Sequence, residues 1–264
     1  MKKQIECVIM DWAGTAVDFG CFAPVGAFIK AFEEKNIRLS VEEVRRPMGK
    51  AKIEHIRTLL QMDTVGVQFF NAYQREWNAD DVSELNKSFE RHLFLTLDCF
   101  AAPVAGAVEA VRVLHGQGVK IGSTTGYTRT MMNIVETEAG KLGYEVDSCV
   151  TPDGLPAGRP APFMIFKNMI HLDVRHPGCV VKVGDTLEDI REGLNAGVHT
   201  AGVILGSSEL GLSEEDVRQI PKRELNRKMQ AVRSRMIDAG AHYVMDRIGE
   251  LPHIIDLINS TYCS

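Results

Sequence analysis

A doubly wound α/β fold, with a parallel sheet covered by helices and a helical cap inserted after the first strand, is predicted by three features of this 264-residue chain. Short apolar runs rich in β-branched residues recur, amphipathic helical stretches separate them, and one long interval has no strand pattern. Runs that are continuously apolar, without polar alternation, mark strands buried on both faces, as in a parallel sheet.

In chain order, the first strand is expected over Ile5–Met10 and ends at Asp11. From Phe22 to Ala102 only helix-like segments occur, over Val25–Lys35, Ile53–Leu60 and Asp80–Leu97. A core of residues 1–20 and 103–264 with a cap of residues 21–102 follows. Hinges are expected at Phe19–Pro24, which holds Gly20 and Pro24, and at Phe100–Gly106, which holds Pro103 and Gly106. Alternation then resumes with a helix at Val108–Leu114, a strand at Val119–Ser123 and helices at Thr130–Glu138 and Pro162–Ile170. A strand at Cys179–Val183, a helix at Leu187–Ala196 and a strand at Thr200–Leu205 complete the core. Gly206–Asp216 reads as a polar loop ending in a Ser-Glu-Glu-Asp helix start, followed by a charged helix through Arg235.

Composition narrows the function classes. Apolar residues make up 45% and charged residues 25%, as in globular proteins with a real core, and Gly 23 and Pro 10 show no period. Thirty Lys and Arg against 35 Asp and Glu leave a formal charge of -5, which gives no pull toward nucleic acid or an anionic membrane. Cys7, Cys21, Cys99, Cys149, Cys179 and Cys263 are far apart with no CxxC pair, as expected of reduced thiols. The apolar run in MKKQIECVIMD is too short for a secretory signal core, and no stretch approaches the ~20 apolar residues of a membrane span. A cytoplasmic protein with a small-molecule partner, neither nucleic acid nor membrane, is the expectation.

Ligands of open parallel sheets bind at the carboxyl ends of the strands. The first strand ends in Asp11, the second in Ser123-Thr124-Thr125-Gly126 and a third in Gly184-Asp185. Each alone fits a turn or a helix cap. Together they put two carboxylates and a hydroxyl-rich glycine turn on one edge, a set suited to a hard cation and a phosphate group. Lys52 and His55 lie three apart in a helical pattern and share a face, with Arg45, Arg46, Lys50 and Arg57 nearby. That cluster reads either as a solvated basic face or as a site where neighbouring cations and an apolar pocket favour a nucleophilic free amine. Spacing leaves Lys50 and Lys52 as alternatives.

Asp11-Trp12-Ala13-Gly14-Thr15, Thr125-Gly126, Arg159 in GRPAP, and Gly184-Asp185 with Asp189 resemble, in order, the four motifs of the haloacid dehalogenase superfamily. Within it, the stretches DWAGTAVDFGCFAP, RRPMGKAKIEHIR, IGSTTGYTR, PAGRPAP, KVGDTLEDIREGLNAG and GVILGSSELGL resemble the phosphonatase family. They run from residue 11 to residue 212. The resemblance implies hydrolysis of the C–P bond of phosphonoacetaldehyde to acetaldehyde and phosphate. It further implies Asp11 as nucleophile, Lys52 as imine-forming lysine and His55 as its proton shuttle. Cys21, Met48, Gly49, Thr125, Gly126, Tyr127 and Arg159 would be substrate-binding, with Lys182 the rival of Arg159 for the phosphate. Mg²⁺ would be held by Asp11, the Ala13 carbonyl and Asp185, with Asp189 orienting its bound water, and the working unit would be a homodimer.

Phosphatases of the superfamily carry DxD, the second Asp serving as general acid; here that position is Ala13. General acid catalysis is worth roughly 10²–10⁴-fold, so its loss fits a leaving group that needs no such proton. A carbon departing as an enamine is one. Two rivals stand: a phosphatase or phosphomutase using Asp11 and Mg²⁺ without Lys52, and a non-catalytic phosphometabolite-binding protein.

Overall fold

The computed structural model describes residues 4–261, so Cys263 lies outside the described residues. The described cysteines form no disulfide. Six strands, β1 (Cys7–Met10), β2 (Lys120–Thr124), β3 (Ser148–Val150), β4 (Val180–Gly184), β5 (His199–Val203) and β6 (Tyr243–Met245), form one sheet in the order β3-β2-β1-β4-β5-β6. All five pairings are parallel. β1 and β4 are buried along their whole length, as their unbroken apolar sequences require.

The order runs outward from β1 in one direction through β2 and β3, and in the other through β4 to β6. That reversal puts the topological switch point at β1, where a crevice opens beyond the strand ends. Register fixes what meets there: Met10 is opposite both Ser123 and Val183. The residues that follow each strand therefore emerge side by side.

Between β1 and β2 the described chain forms no strand of the sheet. It folds into α1 (Phe22–Glu33), α2 (Val41–Arg45), α3 (Lys52–Leu60), α4 (Asp63–Tyr73) and α5 (Ala79–Phe94), then a 3-10 turn at Leu97–Phe100. Side chains define the helix starts. Both Asp18 carboxylate oxygens accept backbone N–H bonds from Phe22 and Ala23, at 2.9 and 3.0 Å. Ser40 with Glu43 and Asn78 with Asp81 form reciprocal capping boxes on α2 and α5. α1 packs on α5 through Phe28 and Phe89, whose rings stack at 4.1 Å, each buried phenylalanine contributing about 1.5–3 kcal/mol.

The remaining helices are α6 (Ala107–Gly116), α7 (Arg129–Lys141), α8 (Phe163–His171), α9 (Leu187–Ala196), α10 (Glu214–Gln219), α11 (Lys222–Asp238) and α12 (Leu251–Thr261). The Ser-Glu-Glu-Asp start opens α10, and the charged helix expected after it is α11. Pro221 has no N–H to continue a helix and pushes Ile220 into extended backbone. The last helix expected in the insertion stops at Phe94, three residues short of Leu97. No described helix is long and apolar enough to cross a membrane.

Candidate active site

Asp11, Thr125 and Asp185 directly follow β1, β2 and β4. They line one narrow cavity with Ala13, Cys21, Met48, Gly49, Lys50, Lys52, Gly126, Tyr127 and Arg159. The cavity lies between the sheet edge and the insertion, which supplies Met48, Gly49, Lys50 and Lys52. Gly49 (φ +91°) sits where a Cβ would lie 2.7 Å from Thr186 Oγ1 and 2.9 Å from Glu188 Cβ, so only glycine lets the two surfaces approach this closely.

The floor of the cavity is a buried charge cluster. Arg159, from the loop between β3 and α8, pairs with Asp11 at 2.5 Å, Asp189 at 2.9 Å and Glu192 at 3.2 Å. It also donates to Thr124 Oγ1 at 2.9 Å. Lys182, fully buried on β4, reaches Thr124 Oγ1 at 2.8 Å, Asp189 at 2.9 Å and Glu192 at 3.3 Å. Asp189 is the N3 residue of α9 and closes a capping box with Thr186, accepting from its hydroxyl at 2.6 Å. Asp185 accepts the Ser208 N–H at 2.7 Å and the Thr15 hydroxyl at 3.4 Å.

Electrostatics separates these acids. Burial pushes all of them up, yet Asp189 ends lowered to about 2 because Arg159 and Lys182 flank it. Asp185 has no such partner: burial, then the charges of Asp11 and Asp189, hold its carboxyl well above the usual range. Asp11 is also raised, by burial opposed mainly by Arg159. Four carboxylates, Asp11, Asp185, Asp189 and Glu192, surround two basic side chains, Arg159 and Lys182, so the acids when ionised would exceed the cations by two charges. One divalent cation balances that excess. Ligand atoms of Asp11, Asp185 and Asp189 lie within 4.8 Å of one another, so this triad can hold one. Asp189 already serves Thr186, Arg159 and Lys182, which suits it to orienting a bound water more than to direct ligation.

The opposite wall is apolar. Lys52 Nζ lies 5.8, 5.7 and 5.6 Å from the ring centroids of Phe28, Phe89 and Tyr127. Burial lowers its pKa, with Asp11 opposing the effect and Arg159 adding to it. A methyl group at Gly126 would sit 3.8 Å from Nζ, which puts the amine against the turn after β2. Lys50 also lines the cavity, but its Nζ points to Thr58 Oγ1 at 3.4 Å. Cys21, in left-handed conformation at the start of α1, is kept a neutral thiol by burial.

Among the expected site residues, Asp189 lies beneath the cavity beside Lys182, and His55 is not at the cavity wall either. It is fully buried, stacked 4.0 Å from Phe28, and burial followed by the Lys52 charge holds it neutral. Sequence reasoning missed Glu192, which binds both site cations from one turn beyond Asp189. The signal was there in the i, i+3 spacing on α9. It also set Lys182 aside; Lys182 belongs to the same network as Arg159, one layer beneath the cavity.

Residues 5–197 match the family model for haloacid dehalogenase-like hydrolases, and the chain belongs to that family. Relatives named phosphonoacetaldehyde hydrolase are similar over nearly their whole length. One from Bacteroides fragilis is 55% identical with 98% of both chains covered, and one from Bacillus cytotoxicus is 48% identical with 97% of both covered. A solved phosphonoacetaldehyde hydrolase-like protein from Oleispira antarctica superposes with a TM-score of 0.96 at 34% identity, over 99% of this chain and 95% of that one. A β-phosphoglucomutase from Clostridium difficile, at 14% identity and a TM-score of 0.68, shares the fold.

Proposed function

We propose that the chain hydrolyses the C–P bond of phosphonoacetaldehyde, releasing acetaldehyde and phosphate. The observation that carries this reading is a lysine amine ringed by Phe28, Phe89 and Tyr127 on the same cavity as a strand-end aspartate, with Ala13 where a general acid would stand. A phosphate ester has no use for such an amine. The names of the relatives support the same substrate.

In this reading the free amine of Lys52 adds to the aldehyde carbon, and loss of water leaves a protonated imine. Asp11 attacks phosphorus in line while the C–P electron pair moves into the imine, giving an enamine and an aspartyl phosphate. The enamine takes a proton at carbon, water hydrolyses the resulting imine to acetaldehyde, and a second water releases phosphate from Asp11. Arg159, Thr125 and Gly126 would hold the phosphoryl oxygens, with the fork of Arg159 fixed from behind by Glu192. Cys21, Met48, Gly49 and Tyr127 would enclose the aldehyde end. His55, stacked on Phe28 and off the cavity wall, would set the position of Lys52 within its rings, a positioning role in place of the proton shuttle expected from the sequence. A divalent cation, proposed as Mg²⁺ on Asp11, Asp185 and the Ala13 carbonyl, would neutralise phosphoryl charge. Residues 21–102 would act as a cap over the core of 1–20 and 103–264, and opening of the seam between them would admit the substrate.

The enzyme would work in the cytoplasm as a homodimer, and the exposed Val67 and Phe70 of the insertion are where a second copy would be sought. Phosphate release from phosphonoacetaldehyde, measured beside a panel of small phosphate esters, tests the reading. Turnover should be confined to the phosphonate with acetaldehyde formed one for one. Ester hydrolysis at equal or greater rates would make the chain a phosphatase instead, and no release from any compound would make it a binding protein.

A further inference from the structure

The loop after β5 touches the insertion, a hinge and the candidate cation site at once. Ser208, in that loop, donates its backbone N–H to Asp185 Oδ2 at 2.7 Å. On the other side, Arg45 Nη1 of α2 donates to the Ser208 carbonyl at 3.3 Å and reaches its hydroxyl at 3.4 Å. Gly206 accepts the N–H of Gly20, in the segment between β1 and α1, at 2.6 Å. Arg45 and Asp185 are thus joined through one residue, although α2 belongs to the insertion and Asp185 to the sheet.

The surroundings are built for that guanidinium. It lies 4.8 Å over the ring of Phe22, the first residue of α1. Gly211 (φ +67°) curves around it, where a Cβ would come 3.1 Å from Arg45 Nε. Arg45 Nε and Nη2 are nevertheless buried without a hydrogen-bond partner. Two guanidinium nitrogens kept from water while the third makes only long bonds are poorly explained as a stabilising contact, because burying under-paired nitrogens of a cation costs free energy. Docking of the insertion onto the Ser208 loop explains it better.

We propose that Arg45 is a positioning residue that couples docking of the insertion to the cation site. By seating on the loop from Ser208 to Leu212, it holds the Ser208 N–H on Asp185 and fixes the acid that has no cationic partner in the cluster. The proposal rests on Asp185 being a metal ligand. Its effect is transmitted: Arg45 touches neither substrate nor cation, and orients the group that orients Asp185.

Mn²⁺ affinity of the full chain without substrate, read by electron paramagnetic resonance of the free ion, tests it beside labelling of Lys52 by acetaldehyde and borohydride. Arg45→Ala should weaken Mn²⁺ binding about three- to tenfold, somewhat less than loss of a direct partner of a ligand. It should lower kcat more than it changes KM, and leave the Lys52 labelling rate within about twofold, because the rings around Lys52 come from α1, α5 and Tyr127. Arg45→Lys keeps a cation near the Ser208 carbonyl without the planar fork and should recover part of the Mn²⁺ affinity; it also serves as the test if the alanine variant does not fold. Unchanged Mn²⁺ affinity in both variants would overturn the proposal, as would equal losses of Mn²⁺ binding and Lys52 labelling, which mark a general scaffold. If Asp185→Asn binds Mn²⁺ as the parent does, the metal reading itself has failed, and the positioning role falls with it.

Discussion

The two walls of the cavity handle charge in opposite ways. On the sheet side charges are paired in a cluster: Arg159 and Lys182 thread between Asp11, Asp189 and Glu192 at 2.5 to 3.3 Å, while Asp185 has no cationic partner there. On the insertion side a single ammonium stands among three rings. The first arrangement holds acids and bases at fixed positions through paired contacts, as phosphoryl transfer needs. The second disfavours the charged form and leaves a nucleophilic amine, as imine formation needs. In the proposed reaction one half would prepare the phosphorus and the other the carbon.

Breaking the sheet side should have the largest effect. Asp11→Asn removes the nucleophile and a cation ligand, and turnover is expected to fall about 10³-fold or more. Lys52 should still be trapped by acetaldehyde and borohydride, since the rings are untouched. Retention of more than a few per cent of activity would remove Asp11 from its role. Chelation comes next: the acid excess of the cluster, left without a cation, should cost roughly 10²-fold in phosphate release, restored by adding Mg²⁺. Full turnover after exhaustive dialysis against a chelator would contradict it.

The insertion side yields a smaller, pH-dependent effect. Lys52 is held below its ordinary pKa by burial, so its free-amine fraction at neutral pH is raised. Phe89→Ala admits water, lets the pKa rise and moves the acid limb of the trapping rate to higher pH, by about half to one unit. The sign follows from the amine being the reactive form: the variant should be slower below the limb and converge with the parent above it. An acid limb that does not move would mean the rings leave the amine unperturbed.

These walls were unequally legible in the sequence. The acids Asp11 and Asp185 stood out because apolar runs ended at them, and local pattern shows a strand end directly. The helical insertion was visible as a gap in the same pattern. β3 and β6, three residues each, were too short to register. Partners were the harder part. That Glu192 anchors Arg159, that Arg45 meets Ser208, and that His55 turns into Phe28 instead of the cavity depend on contacts between distant segments. Pairings set by tertiary packing leave no periodicity to read.

The division of labour between the walls stands or falls on Lys52. Acetaldehyde added with borohydride should reduce the imine to a stable secondary amine, inactivate the enzyme and place a single adduct on the peptide carrying Lys52, with Lys50 unmodified. Lys52→Arg keeps the positive charge but cannot attack a carbonyl, and should lose both adduct and turnover. An enzyme that shows no adduct on either lysine while hydrolysing phosphonoacetaldehyde at its full rate would contradict the account.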